Sequence, residues 1–498
     1  MTLSCLSELA RLISVSWWSW WWDVLIEVRN TRLIPTLLAT TLVLAISFYA
    51  WSIKKPFSSF PPLPPGPPGL PLLGNLLFLP PDLHRYFAKL SEIYGPIMKL
   101  QVGRKICVVI TSSSLAKQVL KDHDAIFANR DPTQQHSNGP EWRKLRKIFI
   151  QELMSKTSLD ACHALCPQEI REMVKDLYAK VGSPINIGDQ MFLTLLNVIM
   201  SMSWGGGGFR QMVGEFIELW GAPNISDLFP VLARFDLQGV ESKMKKLSLW
   251  FDKFFESLID SRMKDHQRRR EQGEERQQGL SGDLILLELT QQEDGNSSLT
   301  MNQVKGLLLD NFLGGTHTSL AIIEWVMAEL LQHPKILRKA CKELKEVVGN
   351  DNNTFRLYPP VPLLPITPST TLIISEYTIP KGSRLFFNLW AMQRDPETWE
   401  NPLQFQPERF LRDAGKGDYQ GNNFNFLPFG SGRRICPGIP LGEKMVLYVL
   451  ASLLHSFDWK LPEGSQIDLT DKFGLALNKQ EPLIAIPIAK LSSSQHYY

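Results

Sequence analysis

The chain has little that would hold a nucleotide or a nucleic acid. No G-x-G-x-x-G lies between a strand and a helix, and no G-x-x-x-x-G-K-[ST] occurs, so no phosphate cradle for a nicotinamide, a flavin or ATP is visible. Gly205-Gly206-Gly207-Gly208 has the glycines without the strand-turn-helix context. Net charge is only +3 over 498 residues. The one arginine tract, Arg268-Arg269-Arg270, is too short and too mixed with glutamate for a nucleic-acid patch. The six cysteines (Cys5, Cys107, Cys162, Cys166, Cys341 and Cys436) are scattered and form no disulfide framework. Cys162-His163-x-x-Cys166 resembles half a zinc site, but there is no second half, so it reads as two helix-packed thiols. No repeat of 20–50 residues is present.

What is present begins at the N-terminus. Residues 33–53 are uncharged and mostly apolar, close to the about 20 residues that span a bilayer, with Pro35 tolerated near the start. Lys54 and Lys55 follow, then the stiff run Pro61-Pro62-Leu63-Pro64-Pro65-Gly66-Pro67-Pro68-Gly69, a semi-rigid spacer. The apolar stretch is too long and too far from Met1 for a cleaved signal peptide. Upstream, Trp17-Trp18-Ser19-Trp20-Trp21-Trp22 favours the headgroup interface. The expected organisation is an interfacial extension over 1–32, a transmembrane anchor over 33–53, a basic and proline-rich hinge over 54–69, and a globular domain over 70–498.

In the globule, apolar residues recur at helical spacing in Leu83 to Tyr94, Ser113 to Val119, Trp142 to Leu153, Ile170 to Val181, Gln190 to Ser203, Phe209 to Trp220, Val240 to Met263, Leu284 to Leu289, Met301 to Leu331 and Pro334 to Val348. Short β-branched runs fall at Pro96 to Val102, Ile106 to Thr111, Thr371 to Ile374 and Leu483 to Ile488. The pattern predicts a mainly α protein with small β-sheets. Lys264 to Asp283, charged and rich in Gln and Gly, reads as a solvated loop.

The densest signal is Phe429-Gly430-Ser431-Gly432-Arg433-Arg434-Ile435-Cys436-Pro437-Gly438, followed at once by the helix-like run Leu441 to Leu454. A thiolate at Cys436 is stabilised there by the helix N-terminus and by backbone N–H groups. Gly432 and Gly438 allow left-handed angles or the close approach of a ring. Phe429 is placed to cover the sulfur, and Arg434 to pair with a carboxylate. This spacing resembles the haem-thiolate loop of the cytochrome P-450 family. The resemblance continues in family order through Phe127-Ala128-Asn129-Arg130, Trp142-x-x-x-Arg146, Glu324-Trp325 and Pro407-Glu408-Arg409-Phe410, and is similar in wording to plant microsomal members of the geraniol-hydroxylase-like group.

The resemblance implies a cytochrome P-450 fold, with haem b between the oxygen-activating helix and the cysteine loop. It implies Cys436 as the iron ligand, and Trp142, Arg146 and Arg434 at the haem propionates. Phe429, Gly432, Gly438 and Gly315 would complete the cofactor site. Gly314-Gly315-Thr316-His317-Thr318-Ser319, which interrupts the helical run Met301 to Leu331, is similar to the oxygen-binding motif. Thr318 is then the proton-delivering residue, and His317 stands where the family has an acid. Implied partners are NADPH-cytochrome P-450 reductase, which supplies the electrons, a small lipophilic substrate and the endoplasmic-reticulum membrane, with the globule cytosolic and no nucleic acid. Arg143, Lys144 and Lys147 would help dock the reductase or simply be solvated. Pro362 to Pro365 and Phe473 to Lys479 would contact a terpenoid-like or phenolic-like substrate.

The chain departs from the family at Arg356. Asn353 stands where a glutamate is expected, leaving Arg356 and Arg409 to share a site with no carboxylate from 353. Gly349-Asn350-Asp351-Asn352-Asn353 is a turn sequence in place of a longer connection, and the joins Arg130 to Pro140 and Trp204 to Phe209 are also short. Three readings follow: a haem-thiolate monooxygenase, a catalytically impaired relative from a deleted or mis-spliced coding sequence, and a reductase-independent relative that rearranges hydroperoxides.

Overall fold

The computed structural model describes residues 39–44, 61–130, 138–203, 230–271, 299–342, 352–411 and 417–491, with isolated positions at 215, 216, 219, 224, 226, 493 and 497. The chain divides into two units, Met1–Pro61 and Pro62–Tyr498. In the first, residues 39–44 are helical and exposed. The anchor, the tryptophan cluster and the helices expected at Phe209 to Trp220 and Leu284 to Leu289 lie largely outside the described residues. Among the described residues, no helix is long and apolar enough to cross a membrane.

The second unit is mainly helical with small sheets. Its first half contains α1 (Leu83–Tyr94), β1 (Ile97–Val102), β2 (Lys105–Ile110), α2 (Pro140–Ile148), α3 (Lys156–Ala179), β3 (Ile185–Asn186), α4 (Ile187–Ser203) and α5 (Val240–Glu271). Its second half contains α6 (Met301–Gln332), α7 (Pro334–Lys342), α8 (Asn352–Leu357), β4 (Leu363–Ile366), β5 (Leu372–Ile374), β6 (Tyr377–Ile379), β7 (Arg384–Asn388), α9 (Glu408–Leu411), α10 (Ile439–Ser456), β8 (Phe457–Lys460), β9 (Asp471–Lys472), β10 (Asn478–Lys479) and β11 (Ile484–Ala489).

Helix α6 is the axis of this unit. It is largely apolar, as a helix must be when it packs against several neighbours. Leu308, Phe312, Ile323 and Trp325 are all fully buried. A capping box starts it: Gln303 N donates to Thr300 Oγ1 at 3.3 Å, and Thr300 N donates to Gln303 Oε1 at 3.0 Å. It packs on α4 and α10, which in turn pack on α3, and one large apolar core joins all four. Burial pushes the carboxyl of Glu324, on α6, upward, while the Leu483 N–H it accepts acts in the opposite sense.

The main sheet runs β1-β2-β7-β4 and is antiparallel except for the parallel β2–β7 pair. Val108 and Ile110 face one apolar cluster; Cys107 and Val109 face another, closed by Phe87 and Leu90 of α1. Both faces are therefore covered, and β2 reads as a continuous apolar run rather than an alternating one.

Two expectations are corrected. The Gly314-Gly315 pair does not interrupt α6, which is helical throughout. Lys264 to Glu271 is not loop but the last turns of α5. In addition, α3 starts well before Ile170 and carries Pro167 inside it. Of the two thiols expected to pack in this helix, Cys166 is buried, and the Cys162 side chain lies outside the described residues.

Candidate active site

The cysteine loop is held by its own backbone. The N–H of Cys436 donates to Phe429 O at 2.9 Å, and Ile435 N to Gly432 O at 3.1 Å. Gly430 and Gly432 have φ of +75° and +66°, the left-handed region that a side chain disfavours. A Cβ on Gly432 would lie 2.5 Å from Asp124 Oδ1 and 2.9 Å from Leu120 O. Gly438 is different: it N-caps α10 at φ −85°, and a Cβ there would meet the Cys436 sulfur at 3.8 Å. The Phe429 ring packs between Phe355 (5.3 Å) and Tyr419 (5.5 Å).

Burial pushes the Cys436 thiol up, and the Gly438 N–H and the Arg146 charge pull it down. Trp142 and Arg146, four residues apart on one face of α2, reach this loop together. Arg146 Nη2 donates to Ile435 O. The Arg434 guanidinium lies 3.8 Å from the Trp142 ring centre, a cation–π contact, and its Nε donates to Ala128 O at 2.6 Å. Arg434 is lowered to about 10 by burial and then by its neighbours Arg130 and Arg146.

Arg130 is the residue that sequence reasoning did not place in the site. It is lowered to about 10 by burial, and its Nε is buried without a hydrogen-bond partner. Its only sequence signal is the arginine that ends Phe127-Ala128-Asn129-Arg130 just before a gap. Among the described residues no carboxylate pairs with Arg130 or Arg146. Mutually repelling guanidiniums beside a half-buried thiol, one with an orphaned N–H, fit an anionic, thiolate-ligated group. A haem with its carboxylates is such a group.

On α6 the exposed Gly306, Asp310 and Gly314 and the half-buried Thr318 recur every four residues, which puts them along one face. Thr318 Oγ1 donates to Gly314 O at 2.6 Å. A Cβ on Gly314 would meet nothing within 4 Å, whereas one on Gly315 would lie 2.7 Å from Ile199 Cδ1, so Gly315 permits the close α4–α6 approach. His317 Nε2 is 3.2 Å from Asn478 Nδ2. An amide nitrogen only donates, so this contact is a hydrogen bond in the tautomer whose Nε2 accepts. Burial lowers the His317 pKa, disfavouring the charged ring. This bond ties α6 to the β9–β10 hairpin.

A second buried cluster supports the site. Trp325 stacks on Tyr358 at 3.8 Å and donates to Leu477 O at 2.9 Å, and Tyr358 donates to Glu329 Oε1 at 2.8 Å. Arg356 is fully buried. It donates through Nε to Asn353 Oδ1 (3.3 Å) and through Nη to the carbonyls of Gln393, Pro402 and Gln404. Arg409 donates to the carbonyls of Glu400, Asn401 and Gln404 and to Gln406 Oε1. The two guanidiniums share the Gln404 carbonyl, and the Asn353 amide accepts from Arg356 alone.

The family model for cytochrome P-450 matches residues 64–486. The chain belongs to the cytochrome P-450 family. It is 36% identical to the flavonoid 3'-monooxygenase of Petunia hybrida, covering 87% of this chain and 94% of that protein. It is 33% identical to the geraniol 8-hydroxylase of Swertia mussotii, covering 92% and 98%. The flavonoid 3',5'-hydroxylase of Campanula medium is 35% identical, covering 86% and 91%. The geraniol 8-hydroxylase alignment runs over 506 positions while using 92% of this shorter chain, so that relative has residues opposite gaps here. Family membership makes this chain a plant-type P-450 monooxygenase, with a haem-iron cofactor, a redox partner and a small-molecule substrate.

Proposed function

We propose that this chain is a membrane-anchored haem-thiolate monooxygenase. In this reading it hydroxylates a small lipophilic substrate, a terpenoid alcohol or a phenolic, with electrons from NADPH-cytochrome P-450 reductase. The observation that carries it is Cys436, half-buried in its glycine turn at the start of α10 with the Gly438 N–H and Arg146 acting on the sulfur. When bound, haem b supplies the iron that activates dioxygen, with the thiolate as electron-donating ligand.

The roles of the protein groups follow from their surroundings. Cys436 is the ligand, and Gly432 and Gly438 shape its loop. Arg130, Arg146 and Arg434 neutralise the cofactor carboxylates, and Trp142 fixes the Arg434 plane. Phe429 shields the loop from the core side, and Gly315 sets the distance between α6 and α4. Thr318 holds a hydroxyl proton on the accessible face of α6. His317, through an accepting Nε2, fixes Asn478 and with it the hairpin Phe473 to Lys479 that contacts substrate. Residues 33–53 anchor the protein in the endoplasmic-reticulum membrane, 1–32 lie at the interface, 54–69 form the hinge, and 70–498 form the cytosolic catalytic domain. The flavonoid and geraniol hydroxylases among its relatives support both substrate classes.

The test is NADPH-dependent turnover of a terpenoid and phenolic panel with added reductase. Product that requires reductase and disappears in Cys436→Ala supports the reading. Product formed from hydroperoxides without reductase supports a rearranging enzyme instead. One observation favours the impaired reading: at position 353 Arg356 meets an amide. Haem loss at normal protein level would identify it.

A further inference from the structure

Among the described residues, the Arg356–Arg409 cluster collects positive charge without an ion-paired carboxylate. Nη2 of Arg356 and Nη2 of Arg409 both donate to one carbonyl oxygen, that of Gln404, at 3.3 and 3.4 Å. Every other acceptor on the two guanidiniums is neutral: the carbonyls of Gln393, Pro402, Glu400 and Asn401, and the side-chain oxygens of Asn353 and Gln406. These bonds satisfy donors but leave two formal charges close together. The exposed Glu400 carboxylate acts on Arg409 through space but makes no ion pair with it. A third guanidinium, Arg394, adds to the field at Arg356. Arg356 is pushed down to about 9, first by burial and then by Arg409 and Arg394.

Donors are also left over. Asn353 is 0% exposed, its Oδ1 taken by Arg356, and its Nδ2 has no acceptor. Arg409 Nε and Trp399 Nε1 are likewise buried without partners, and the Arg356 guanidinium lies 5.2 Å from the Trp399 ring centre. Unpaired buried donors beside a buried, uncompensated Arg356 and a partly exposed Arg409 are a costly combination. One species relieves both: a small anion that accepts several N–H bonds without demanding a fixed geometry.

We propose that the cluster of Asn353, Arg356, Arg409 and Trp399 binds a small monovalent anion of the chloride class. It takes the charge-balancing place that a carboxylate at position 353 would fill. Chloride is favoured over phosphate or sulfate because the donors are buried and the anion must shed its water. The proposal concerns the stability of the domain and stands apart from the assignment of Cys436.

The experiment is a thermal melt of the full chain, purified in detergent, in sodium chloride against sodium gluconate at equal ionic strength. A saturable chloride effect is expected, with Tm raised by roughly 3 °C at a hundredfold excess over Kd. Asn353→Glu and the near-isosteric Asn353→Asp supply the charge internally and should melt identically in both salts. In crystals grown with bromide, an anomalous peak is expected within hydrogen-bond distance of Asn353 Nδ2. Identical wild-type melting in the two salts would overturn the proposal, as would a chloride effect undiminished in both variants. A bromide crystal with no peak there would do the same.

Discussion

Gly432→Ala is the sharpest single test of how the cysteine loop is built. At φ +66° an alanine pays about 1–2 kcal/mol for the left-handed backbone. Its Cβ would stand 2.5 Å from Asp124 Oδ1 and 2.9 Å from the Leu120 carbonyl, and the second of these cannot swing away. Asp124 accepts from Arg433 N and Nε, both at 3.0 Å, so moving it breaks the clamp that holds this loop to the helix Asp124–Phe127. That ion pair is half-exposed and contributes only about 0.5 kcal/mol, so the strain and the collision dominate. The sum is about 3 kcal/mol, or a Tm lower by about 3 °C for a unit of this size. Haem content per protein should fall with it, because Cys436 lies four residues on. Gly438→Ala is the control: φ is −85° and the nearest contact is 3.8 Å, so its stability should stay within about 0.5 kcal/mol of wild type. Melting curves and haem-to-protein ratios measure both. Wild-type stability for Gly432→Ala, or equal losses in the two variants, would refute the argument.

On α6, Gly314→Ala should stabilise the domain by up to about 1 kcal/mol, because the site is open and alanine is the better helix former. Gly315→Ala should instead cost about 1–3 kcal/mol through Ile199, and denaturant melts would show the opposite signs. Asp471 is raised by burial, but His84 and Arg85 more than offset this and hold it at about 2. Its stabilisation is therefore complete above the ordinary carboxylate range and fades as pH falls toward 2. The gap between wild type and Asp471→Asn in urea unfolding should narrow from pH 6 to pH 3, and a constant gap would contradict this. His317→Asp should increase product formed per NADPH, since it returns an acid to a position now held by an imidazole. An unchanged ratio would show that His317 does not limit coupling.

Much of the fold was legible because its elements are strongly periodic. Leu83–Tyr94 is bounded as expected, and the helices around Met301, Val240 and Gln190 begin within three residues of the apolar repeat. What escaped was governed by tertiary contacts. Pro167 hides the first turns of α3, which packing sustains despite the lost hydrogen bond. Leu363–Ile366 contains Pro365, and as a strand it is declared only by its pairing with β7. The cysteine loop could be read because its chemistry depends on local backbone shape. Arg130, the Trp325–Tyr358 stack and the His317–Asn478 bond join residues that meet only after folding. The site's one conspicuous departure, Asn353, was visible as a residue. Its consequence, two arginines sharing the Gln404 carbonyl, was visible only in three dimensions.

The measurement that bears most directly on the central claim is the carbon-monoxide difference spectrum of the reduced protein in membranes. A thiolate-type Soret band is expected, present in wild type and absent in Cys436→Ala at equal protein level. A shifted, inactive-type band, or no haem signal beside normal protein, would contradict it and establish the impaired relative.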